Sequence, residues 1–288
     1  MPEVSVCIPT HNGAVFLEET LESLKMQTYT DYEVIVCDDG SKDDTLKILE
    51  KFRKSSFQRV HIFKVPPKGI GANWNNCLQR VSGKYVKFLL QDDILRSDCL
   101  KKMVSYLEEN RDVDLVASKR DFKLNMAVDE KLGKWISKYG DLQAEYNSGD
   151  NEILILDRNF FKSINLLKSP LNKIGEPSTI IFRRSMISKI GFFRTDLRQI
   201  LDYEYWYRFL KYSKIAILPE KLVFFRLHKD QETQKNSKIK ISDIDIYRKI
   251  LYRDYRDLLN DEIRHSLENE FKCTSVIKQR AVRWFNFN

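Results

Sequence analysis

The chain has 288 residues, 42% hydrophobic and 31% charged, with a formal net charge of +8. That balance excludes a disordered chain, and no apolar run approaches the roughly 20 residues that a helical membrane span requires. Five cysteines (Cys7, Cys37, Cys77, Cys99 and Cys273) with no CxxC pair argue against a zinc site or disulfide framework and for a reducing, cytoplasmic setting. Met1 leads directly into a strand pattern, so no secretory leader is expected. The positive charge suits an anionic partner: a nucleotide, a nucleic acid or a lipid surface.

From the N-terminus, Val4 to Ile8 reads as a strand, and Leu17, Leu21 and Leu24 then recur at helical spacing. Glu33 to Cys37 is a second strand. Ser41 followed by Asp44 resembles a capping box for a helix that carries Leu46, Leu49 and Phe52. Val60 to Val65 is a third strand, Trp74, Leu78 and Val81 mark a helix, and Tyr85 to Leu90 is a fourth strand. Ser97 is placed to cap a helix through Leu100, Met103, Val104 and Leu107, and Val113 to Ala117 reads as one more strand. The alternation predicts an α/β fold with a mostly parallel, Rossmann-like sheet covered by helices on both faces. Ligands of such sheets bind at the carboxyl ends of the strands. The polar signals fall there: Thr10-His11-Asn12, Asp38-Asp39 and Asp92-Asp93.

Between residues 119 and 175 the rhythm gives way to polar sequence with scattered aromatics, which predicts a long variable loop. Strand pattern returns at Ser178 to Phe182 and helix pattern at Asp202 to Leu210. Ile215 to Leu218 and Leu222 to Arg226 predict a hairpin, and beyond residue 235 the pattern is helical and charged.

The Asp92-Asp93 pair ends an apolar run, "FLLQDDIL", where two like charges are costly unless a cation or hydrogen bonds compensate them. With "VSVCIPTHNG", "QTYTDYEVIVCDDGSKDDT", "LDYEYWYRFLKY" and "FFRLH", it forms an ordered set across residues 4–228. The set resembles glycosyltransferase family 2 with the GT-A nucleotide-sugar-binding fold. The resemblance implies a division into a nucleotide-sugar half at 1–118, an acceptor-side half at 119–234 and a C-terminal helical extension at 235–288. It implies an inverting transfer from a nucleoside-diphosphate sugar, UDP- or dTDP-linked, to a hydroxyl of a glycan or glycolipid, in surface polysaccharide assembly.

Residue by residue, the resemblance places Pro9, Thr10 and Asn12 along the nucleotide pocket and Asp39 on the pyrimidine ring. A carboxylate suits that ring, whose N–H is a donor. It assigns "QDD" to the family's DXD-type motif for Mn²⁺ or Mg²⁺, which would bridge the diphosphate to protein. Asp93 is the preferred ligand and Asp92 a second ligand or a ribose contact, the register being open by one residue; Leu90 stands where many members carry a further Asp. His228 matches a position where some members place a histidine on the metal or diphosphate. Asp202 matches the general base, with Leu201 where the family more often has Glu; read without the resemblance, it is a helix N-cap, and Glu204 is the fallback base.

Other readings have less support. A nucleotidyltransferase would carry a Gly-rich, Arg-containing loop after its first strand, and a dinucleotide oxidoreductase a GxGxxG turn. A nucleic-acid module would concentrate its basic residues, which here are dispersed. Residues 272–288 interleave Lys272, Lys278, Arg280 and Arg283 with Trp284, Phe285 and Phe287. Such a segment suits an anionic membrane surface as well as a packed helix.

Overall fold

The protein is seen in a computed structural model that describes residues 1–146, 152–229, 231 and 243–271. The proposed lipid-surface segment, 272–288, lies outside these residues.

One mixed sheet organises the described chain. Its first half is parallel: β1 (Val4–Thr10) is flanked by β2 (Tyr32–Asp38) and β4 (Tyr85–Phe88), and β3 (Val60–Lys64) lies outside β2. β1, β2 and β4 are buried along their whole length, so both faces must be apolar. Helices cover both faces. α1 (Ala14–Lys25), α2 (Thr45–Ser55) and α4 (Cys99–Glu109) pack with Val6 and Ile8 on one side. On the other, α3 (Ile70–Leu78) packs with Cys7 and Phe88.

The second half of the sheet is threaded differently. β6 (Val113–Leu124) does not join β4 directly; β8 (Ile180–Arg183) inserts between them, antiparallel to both. β9 (Lys214–Leu227) then pairs parallel to β6. The predicted hairpin at 215–226 is therefore one long strand. Its register against β6 shifts after Ser118, where Pro219 falls; a proline has no N–H for a ladder, and a bulge accommodates it without reversing the chain. The first part of β9 pairs with β7 (Leu154–Leu156) and the later part with β5 (Ile94–Leu95), both antiparallel.

Other local expectations shift too. The 119–175 stretch is not one loop: β6 runs on to Leu124, and α5 (Glu130–Tyr139) follows, N-capped by Asp129 through Leu132 N. Ser41 does not cap α2; its hydroxyl donates to Asp38, and Asp43 instead accepts from Thr45 N at 3.1 Å. Nor does Ser97 cap α4, whose N-cap position is Asp98 without a side-chain bond. A short helix, α6 (Ile187–Ile190), follows β8. α7 (Leu201–Phe209) then carries an almost continuous buried aromatic face. Tyr205, Trp206 and Tyr207 all pack in the core, with α8 (Asp243–Asp254) in the same cluster. Asp243 fixes the approach to α7 by accepting from the backbone N–H groups of Arg198, Gln199 and Ile200.

Candidate active site

The carboxyl ends of β1 and β2 are locked to each other by polar side chains. Asp38 accepts from Thr10 Oγ1 at 2.9 Å and from Ser41 N at 2.9 Å. Asp39 is buried, and its two carboxylate oxygens accept from Lys68 N and Gly69 N at 3.0 and 3.2 Å, which ties the entry of α3 to β2. Each oxygen retains a second lone pair. Pro9 and Thr10 are buried at the end of β1. Asn12 follows with φ +48°, a left-handed conformation that Asn tolerates better than most residues. Its N–H donates to Ser41 Oγ and its Oδ1 accepts from Lys42 N, both at 2.8 Å. His11 joins the same knot through Nδ1, 2.8 Å from the Asp39 carbonyl oxygen; a carbonyl only accepts, so Nδ1 carries the proton.

Gln91 connects this knot to the end of β4. Its Oε1 accepts from His11 N at 2.8 Å and its Nε2 donates to His11 O at 3.1 Å. A Cβ at position 13 would lie 2.3 Å from Gln91 Oε1, so any larger residue there displaces the Gln91 side chain.

Asp92 meets His228, and Asp93 meets Arg226 N, because β5 follows the acids at once and pairs antiparallel with β9, in the register Ile94 to Phe224. Stepping back from Ile94 therefore runs alongside β9 as it steps forward to Arg226 and His228. Asp92 Oδ2 lies 3.0 Å from His228 Nε2. The imidazole leans on Phe16, with ring centroids 4.6 Å apart, and its Nδ1 is enclosed without a partner among the described residues. Asp93 is only 1% exposed; Oδ1 accepts from Arg226 N at 3.1 Å, whereas Oδ2 has no hydrogen-bond partner among the described residues. Burial, then the Asp92 charge, holds the Asp93 carboxyl well above the usual carboxylate range. Arg226 is not free to meet a phosphate: its guanidinium is spent on the Asp92 carbonyl, Asn125 and Glu19.

The donor chemistry fits a divalent cation in part. A carboxylate and an imidazole face each other, and a hard cation commonly takes one or two side chains and completes its shell with phosphates and water. An imidazole in the set favours Mn²⁺ over Mg²⁺, which takes oxygen almost alone. Among the described residues, no group of three or more His, Cys, Asp or Glu is placed to hold a metal without a ligand's help.

Asp202 sits on the first turn of α7 but is not its N-cap, which is Ile200. Its Oδ2 receives Asn172 Nδ2 at 3.3 Å, and its Oδ1 is enclosed without a partner among the described residues. Burial, with Glu176's charge adding to it, pushes this carboxyl up to about 7. Glu204 is otherwise engaged: it is buried and gripped by both arms of Arg208, at 3.0 and 2.5 Å. Asp202 is tied to the acids after β4 through a chain of contacts. Asn172 Nδ2 also donates to Gly175 O at 3.0 Å, and three residues on, Ser178 Oγ accepts from Leu90 N at 2.9 Å. The sequence reading missed Gln91's bridging role, Asn172 and Glu176; the Gly175-Glu176-Pro177 run was their available signal.

The sequence profile described as "Glycosyl transferase family 2" matches residues 5–191 of this chain. The chain belongs to glycosyl transferase family 2. An uncharacterized protein of Mycobacterium tuberculosis is 28% identical over 225 residues, 77% of this chain and 66% of the relative. This family 2 chain thus spans just under two thirds of that relative's length. The GT-A fold is shared with Staphylococcus aureus TarS 1-349 in complex with UDP-GlcNAc: TM-score 0.64, 20% identity, 93% of this chain and 73% of that one. The mannosyltransferase PcManGT from Pyrobaculum calidifontis, in complex with GDP-Man and Mn²⁺, superposes with TM-score 0.58 and 15% identity, covering 98% of this chain and 80% of that one. The profile's span ends before Asp202 and His228.

Proposed function

We propose that the chain is an inverting, metal-dependent glycosyltransferase. It moves a sugar from a UDP- or dTDP-linked donor to a hydroxyl of a glycan or lipid-linked glycan, in assembly of a surface polysaccharide at the cytoplasmic face of a membrane. The observation that carries the reading is Asp202: a carboxyl raised to about 7, with one enclosed oxygen that has no partner among the described residues, joined by Asn172, Gly175 and Ser178 to the end of β4. A general base works best with a pKa near the operating pH.

In this reading Pro9, Thr10 and Asn12 line the nucleotide pocket, and Asp39 accepts from the pyrimidine N–H on a lone pair that the α3 entry leaves free. Asp92 and His228 hold the cation, with Asp93 behind them. Bound there, Mn²⁺ or Mg²⁺ would stabilise charge on the departing diphosphate. Asp202 takes the proton of the acceptor hydroxyl at Oδ1 as that oxygen attacks the anomeric carbon, and Asn172 holds the carboxylate's other oxygen in place. A single displacement inverts the anomeric centre. Turnover of UDP-GlcNAc, UDP-glucose, UDP-galactose, dTDP-glucose and GDP-mannose, with Mn²⁺ and with EDTA, tests the proposal. Absence of metal-dependent nucleoside diphosphate release from every donor would overturn it.

A further inference from the structure

Three carboxylates around this site each keep one enclosed oxygen that no group among the described residues satisfies: Asp93 Oδ2, Asp202 Oδ1 and Glu176 Oε2. Asp93 is almost wholly buried, so its orphan oxygen is not offset by bulk water. The first two have roles in the proposed reaction. Glu176 has none, and its surroundings are built to fix it.

Glu176 lies at a junction between the two ends of the site. On its N-terminal side, Gly175 O accepts from Asn172 Nδ2, the group that also reaches Asp202, and from Trp206 Nε1 at 3.2 Å. On its C-terminal side, Ser178 receives Leu90 N on its hydroxyl and Lys87 Nζ on its carbonyl, at the end of β4. Thr179 clamps the Glu176 carbonyl twice, from N at 2.8 Å and from Oγ1 at 2.7 Å. A Cβ at Gly175 would lie 2.2 Å from that Thr179 Oγ1, so the turn excludes larger residues.

The carboxylate itself is held by one oxygen only. Oε1 pairs with Arg120 at 2.9 Å, and Arg120 is buried, bonded to Tyr139 O and lodged against the Phe122 and Phe225 rings. That anchor holds Oε1 and leaves Oε2 an acceptor with no partner among the described residues. Its charge contributes to raising both Asp93 and Asp202, which puts it within electrostatic reach of both.

An in-line displacement sets the anomeric carbon between the leaving diphosphate and the base, so the transferred sugar occupies the gap between those two carboxyls. We propose that Glu176 reads that sugar: Oε2 accepts a hydrogen bond from one ring hydroxyl, or from an amide N–H, of the donor's glycosyl group. Glu176 is then a specificity residue. The inference rests on the glycosyltransferase reading.

The test compares the parent with Glu176→Ala and Glu176→Gln, full-length, in Mn²⁺. The best donor of the five-sugar panel is assayed beside its 3-, 4- and 6-deoxy analogues, and UDP affinity is measured on the same preparations. In the parent, one deoxy position should lower kcat/KM by about 10- to 100-fold, as expected for a hydrogen bond to a charged acceptor. In Glu176→Ala that penalty should shrink to within about threefold while the others persist and UDP affinity stays near parental. Glu176→Gln should give an intermediate ratio. Equal loss on the donor and all its analogues, unchanged ratios, or loss of UDP binding in both variants would each overturn the inference. A parent that releases UDP from no donor removes the glycosyltransferase reading itself, and this inference with it, before any variant is made.

Discussion

Replacing Asp202 by asparagine distinguishes a general base from a structural acid, because the two roles leave different pH signatures. Folding holds the Asp202 carboxyl at about 7 against 3.8 for a free aspartate, chiefly by burial. Over that window the unfolded chain has released a proton that the folded chain keeps, so stability falls as pH rises toward 7. At about 1.4 kcal/mol per unit, the stretch from about pH 5 to 7 costs the parent roughly 2–3 kcal/mol. The amide of Asp202→Asn does not titrate and escapes that loss. It does leave an NH2 where Oδ1 lacks a partner, costing about 1–3 kcal/mol, but equally at every pH. Relative to the parent, the variant's Tm should therefore gain about 4–10 °C between about pH 5 and 8. Turnover should fall by about two to four orders of magnitude, and UDP affinity should hold. Parental kcat should rise with pH through about 7 as the base ionises. Coupled detection of released UDP and melting curves across the same buffers measure all of this. Near-parental turnover in the variant, or a Tm difference that does not move with pH, refutes the reasoning.

Asp92→Asn and His228→Ala should each weaken UDP binding by about tenfold or more in Mn²⁺ and scarcely alter it in EDTA, as removal of a cation ligand requires. Isothermal titration in both buffers decides; a parent that binds UDP equally with and without metal ends the assignment. Gly13→Ala should lose about 1–3 kcal/mol of stability by forcing Gln91 off His11, and adding Gln91→Ala should recover part of the steric cost. Strict additivity in urea unfolding would show that the two do not meet. Asp39→Asn should lower UDP affinity by about tenfold, because the amide presents a donor where the ring N–H needs an acceptor. Unchanged affinity would move base recognition elsewhere.

The parallel half of the sheet was legible because β1, β2 and β4 are buried on both faces and their sequences are near-continuous apolar runs. The strand-end polar groups followed from that alone. β9 was misread because Pro219-Glu220 has turn composition, and composition does not reveal whether a bulged strand continues or reverses. β6 was cut short at Ala117 because Lys119, Arg120, Asp121 and Lys123 break the apolar pattern. Arg120 is nonetheless buried, its charge matched by Glu176 from far along the chain. Pairing of that kind has no periodicity to detect. The same limit hid Asn172, which contacts Asp202 from thirty residues away. The capping expectation at Ser41 failed because its hydroxyl is taken by Asp38 and by Asn12 N instead of a helix N–H.

The position of β8 has a consequence for how the chain comes off the ribosome. β4 is complete by Phe88, yet the strand that covers its outer edge is not synthesised until Ile180–Arg183. During synthesis of the intervening stretch, the half-sheet of β1 to β4 must wait with one central edge open, an arrangement of high contact order that folds slowly and invites pairing with other chains. A fragment ending near residue 118, although it contains β1 to β4, should aggregate rather than stand alone, whereas one extended past Arg183 supplies the missing edge partner.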